Sequence, residues 1–104
     1  HEAEWKVWET NIAVIENAAR SVKGVTTKVF VPPLGNITPT LELTWDTSRL
    51  TVKDLQEKLR DGSPSIEVMP HDDKSIHITV WVMRPGQEKV VAKRLKEVFS
   101  AALA

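Results

Sequence analysis

Apolar side chains fall at Trp8, Ile12, Ile15, Ala19 and Val22, in steps of three and four that place them on one face. That period predicts a helix over 4–23, stopped by Gly24 as a left-handed C-terminal residue. The period then shortens to two. Val25, Thr27, Val29 and Val31 alternate with Thr26, Lys28 and Phe30, which predicts a strand. Pro32-Pro33-Leu34-Gly35-Asn36 cannot continue a ladder and reads as a loop. A second strand over 40–45 sets Leu41, Leu43 and Trp45 on one face and Glu42 and Thr44 on the other.

Thr51 with Asp54 three residues on resembles a capping box, with Asp in place of the usual Glu. It opens a short helix that carries Val52, Leu55 and Leu59 inward and ends at Gly62. A third strand follows over 65–69, and His71-Asp72-Asp73-Lys74 is a polar turn. Ile76, Ile78, Val80 and Val82 alternate with His77, Thr79 and Trp81 in the clearest strand of the chain. Pro85 suits the first turn of a last helix, lined by Val91, Leu95, Val98 and Ala102. The order α-β-β-α-β-β-α predicts a two-layer α+β fold: a small, mostly antiparallel four-stranded sheet with the helices on one face. Residues 1–104 read as a single domain.

Composition narrows the function. Fourteen basic residues balance fourteen acidic ones, so no net field draws in nucleic acid or an anionic membrane. Cysteine is absent, which excludes disulfides and thiolate metal sites and fits a cytoplasmic protein. No apolar run approaches the roughly 20 residues that span a bilayer. A chain that begins at His1 rather than Met reads as a piece of a longer one.

Candidate chemistry is sparse. His1, His71 and His77 show neither the i, i+4 spacing of a helical ligand pair nor the i, i+2 spacing of a strand pair, so they read as surface or half-buried residues without a metal. Asp72-Asp73 lies in a turn, where Asp caps nearby backbone N–H groups, and Asp46 caps the connection into the second helix. Gly24, Gly35, Gly62 and Gly86 stand singly, so no phosphate loop forms, and no Ser-His-Asp arrangement follows a nucleophile elbow. No catalytic or cofactor-binding residue can be assigned. Four tryptophans are many for this length. If the helices cover the Ile76–Val82 face, then His77, Thr79 and Trp81 form the opposite one, a candidate interface.

Four short motifs carry a resemblance: Val22-Lys23-Gly24-Val25, Leu43-Thr44-Trp45-Asp46, then Leu59, Gly62, Pro64 and Ile66, and finally Pro85, Gly86 and Glu88. In order and spacing they resemble the small C-terminal domain of fold-type I pyridoxal-phosphate enzymes, within the selenocysteine-synthase-like group, also described as D-glucosaminate-6-phosphate ammonia-lyase-like. The resemblance implies a parent enzyme: a pyridoxal-phosphate lyase or transferase acting on an amino acid or amino sugar acid. In it this domain closes over a site built by a large domain, as part of a homo-oligomer. Pyridoxal phosphate, its Schiff-base lysine and its phosphate cup would belong to that large domain, leaving this chain non-catalytic and cofactor-free. Many relatives place a carboxylate-binding arginine shortly after the Gly-x-Pro-x-Ile element. Here Glu67, Val68 and Met69 stand there, and no arginine follows until Arg84. The alternative reading is a free-standing α+β binding or assembly module without catalysis, using the face around His77 and Trp81.

Overall fold

The two periods in the sequence, near 3.6 and 2, sort into helices and strands in the expected order. The computed structural model describes residues 2–35 and 37–104; His1, and Asn36 of the expected loop, lie outside them. The elements are α1 (Glu2–Arg20), β1 (Thr26–Phe30), β2 (Thr40–Thr44), α2 (Val52–Arg60), β3 (Met69–Pro70), β4 (Ser75–Thr79) and α3 (Gln87–Leu103). Every strand pairing is antiparallel, in the spatial order β1-β2-β4-β3.

Register explains why one face is covered. Across the central pair, Leu41 lies opposite Ile78 and Leu43 opposite Ile76, so four aliphatic side chains point the same way. They meet Ile12, Ile15 and Ala19 of α1, Leu55 and Leu59 of α2, and Leu95 and Phe99 of α3 in one buried cluster. Burying each large aliphatic side chain contributes about 1.5–3 kcal/mol relative to leaving it in water. Trp45 extends β2 into this core: its ring meets Phe99 edge-on at 5.1 Å, and its indole N–H donates to the Leu50 carbonyl at 2.7 Å.

Several boundaries differ from the expected ones. α1 ends at Arg20 rather than 23, because Ser21 Oγ–H donates to the Ala18 carbonyl and Val22 N–H to the Ala19 carbonyl, which tightens the chain before Gly24. Val22 and Val25 are still buried, held in that turn. The third strand is reduced to Met69–Pro70. Ile66 and Val68 are buried in alternation as expected, but Ile66 N–H donates back to Leu59 of α2 instead of to a strand. β4 stops at Thr79 rather than running through Val82, because a turn over 80–83 closes with Met83 N–H on the Val80 carbonyl. Val82, expected inside, is therefore 66% exposed.

Helix caps carry two further corrections. Thr51 caps α2 by accepting from Asp54 N–H, as the capping box requires on that side, but the helix ends at Arg60 with Asp61 as its C-cap. Gly62 does not terminate it; a Cβ there would stand 2.9 Å from the Arg94 guanidinium, so glycine lets α3's arginine pack close. Pro85 precedes α3 instead of opening it. The N-cap is Gly86, at φ 94°, a left-handed conformation that a side chain would strain.

Candidate interface on the open sheet face

With the helices on the Leu41–Ile78 side, strand alternation turns Phe30 of β1, Glu42 of β2 and His77 of β4 to the other face. Glu42 lies directly opposite His77 across the central pair, and Lys28 opposite Glu42 on the outer side. His77 Nε2 is 2.9 Å from Glu42 Oε2, both side chains half-buried. The His77 ring meets the Phe30 ring edge-on at 5.2 Å, and the Lys28 ammonium sits 5.8 Å from the Phe30 ring centre. His71 stacks on the other side of His77, ring centres 4.2 Å apart and planes within 15°. Chain spacing keeps these histidines apart; the fold joins them. Glu42, His71 and His77 bring their ligand-capable atoms within 4.8 Å of one another.

His71 reaches this position through the turn after β3. Its N–H donates to the Ser75 carbonyl, which puts it one row from His77. The turn is held by Asp72, whose Oδ1 accepts from Lys74 N–H at 2.9 Å and Ser75 Oγ–H at 2.8 Å. These bonds, the Lys74 amide first, hold the Asp72 carboxyl below its ordinary pKa. Asp46 works the same way after β2. Hydrogen bonds from the Ser48 hydroxyl and then its amide lower its pKa, and it fixes the turn into α2 as expected.

Thr79, the second residue of the expected interface, is half-buried opposite Thr40. Trp81, the third, is 46% exposed, but from the turn that ends β4 rather than from the strand face. Phe30, Thr40 and Thr79 share the last row of the sheet. Past that row the chain leaves at one end through Val31, Leu34, Ile37, Trp81 and Val82, all exposed apolar residues. Glu42 was missed by sequence reasoning; its role appears only once β2 is known to pair with β4.

The residues of the four motifs are structural in this chain. Trp45 and Asp46 tie β2 to α2. Glu88, though buried, accepts from Gly86 N–H at 2.8 Å and so closes the start of α3. Arg84 is exposed in the turn before α3. Every lysine of the chain is exposed. A Schiff-base lysine needs a desolvated setting that holds its amine neutral, and the exposed lysines of this chain do not supply one.

The fold and face define a class: a small two-layer α+β domain with one sheet side packed under helices and the other open. Among solved structures, one described as D-glucosaminate-6-phosphate ammonia-lyase is similar to it, with a TM-score of 0.71 at 16% sequence identity. The likeness covers 89% of this chain and 27% of that one, and at such identity it is a likeness of fold. No protein-family model and no curated protein sequence matches the chain. Among the described residues no helix is long and apolar enough to cross a membrane.

Proposed function

We propose that this chain is the small domain of a larger pyridoxal-phosphate lyase or transferase, non-catalytic by itself, that packs on a large domain and closes over the site built there. The observation that carries the reading is the asymmetric coverage: nearly all of this chain corresponds to about a quarter of the ammonia-lyase structure. The exposed surface supports it. Trp81, Val82, Ile37 and Leu34 gather at one end of the sheet, next to an open face, which suits a domain with a neighbour. The substrate of the parent would be an amino acid or amino sugar acid. Its carboxylate would be held by groups outside this domain, since Glu67, Val68 and Met69 stand where relatives place an arginine.

The test is to express the complete native reading frame that contains this chain, reduce the purified protein with borohydride and map the pyridoxyl label by mass. The expected result is one labelled lysine in a segment outside residues 1–104. A native start at or near His1, a label-free protein, or a label on one of the lysines of this chain would each overturn the proposal.

A further inference from the structure

The cluster of Glu42, His71 and His77 lies on the open sheet face. Its members come from three places: the middle of β2, the turn after β3 and the middle of β4. Antiparallel register brings them to one spot on one face. Glu42 and His77 are direct cross-strand partners, and His71 N–H pairs with Ser75, one row further along.

We propose that these three side chains form a binding site for a divalent transition-metal ion, with zinc the best match. The donor set is two imidazoles and one carboxylate, a combination that suits zinc, copper or nickel and disfavours magnesium and calcium, which take oxygen ligands. Three protein ligands leave a fourth position to water, the pattern of open zinc sites. Two of the three donors already converge, with Nε2 of His77 2.9 Å from Oε2 of Glu42. The Phe30 ring packs against the His77 ring in a T-shaped contact, centroids 5.2 Å apart. Lys28 faces the same carboxylate across β1 and β2, but its ammonium lies over Phe30, and the side chain within hydrogen-bond distance of the Glu42 carboxylate is His77. His71 is exposed on its turn, so its ring can leave the stack and present a nitrogen to an ion.

Titration calorimetry with zinc chloride tests it, in a His1→Ala background so that the only histidines are those of the cluster. One saturable site per chain is expected. His71→Ala and Glu42→Gln should each weaken binding by more than about 10-fold. Cobalt substituted for zinc should give a visible absorption band that His71→Ala removes. His71 is exposed, so its variant should keep the parent's circular dichroism spectrum and report on binding rather than folding. Absence of saturable zinc binding to the folded chain, or binding unchanged in His71→Ala, would overturn the proposal.

Discussion

The indole N–H of Trp45 donates to the backbone carbonyl of Leu50 at 2.7 Å, both residues buried, and so ties the end of β2 to the start of α2. Replacing the indole by a phenyl ring would leave that carbonyl buried without a donor. We expect Trp45→Phe to cost about 1–3 kcal/mol. Urea denaturation of the two proteins checks it; an unchanged midpoint would mean that water replaces the indole.

Leu43, Leu55, Ile78 and Leu95 are each at most 4% exposed, one from each of β2, α2, β4 and α3. Truncation of any of them to Ala should cost about 2–5 kcal/mol, from lost burial and the cavity left behind. Val82→Ala, in the turn after β4, should stay within about 0.5 kcal/mol. Thermal melts of the five variants separate the covered face from the turn, and equal effects at Val82 and Ile78 would contradict the end of β4 at Thr79.

Trp81→Ser should leave the melting midpoint nearly unchanged, because about half of the side chain is in water already. If the end of the sheet is an interface, the same change should lower self-association of the isolated chain. Sedimentation at matched concentrations reads both. A variant that unfolds would instead make Trp81 part of the core.

Asp72 predicts a pH dependence with a definite sign. Its carboxyl is held below the ordinary value by the Lys74 amide and then the Ser75 hydroxyl, so the folded chain prefers the charged form. The stability this supplies is complete above the unfolded pKa, about 3.9, and is lost as pH falls through that value toward the lower folded one. Asp72→Ala should therefore be less stable than the parent at neutral pH, and the gap should narrow below about pH 4. Melts at stepped pH test this; a gap that stays constant into acid would remove the carboxylate as its cause.

How much of this was legible in the sequence depends on the range of the interaction. The stripe of Ile12, Ile15 and Ala19 and the alternation of Leu41 and Leu43 are local, and each ends in the core as read. Ile66 and Val68 alternate correctly, yet periodicity reports an extended chain and not a partner: the backbone there bonds to Leu59 of α2. The end of β4 was hidden because Val80 and Val82 continue the alternation that a tight turn interrupts. The cluster on the open face was least legible. Glu42 and His77 are 35 positions apart and meet only through the register of two strands that are not neighbours in sequence. The Pro-Gly-x-Glu element was visible as a motif, but its physical content, a glutamate closing the helix start onto the Gly86 amide, needed coordinates.

The brevity of β3 has an effect on what the sheet can join. His71 N–H points inward to Ser75, and alternation along the strand turns the neighbouring Pro70 nitrogen outward, where it has no hydrogen to offer. A two-residue strand with proline on its outer side makes a poor template for another chain's backbone. Lateral growth of the sheet is thus disfavoured beside β3, which leaves β1 as the better edge for a strand added by an aggregating or swapping copy.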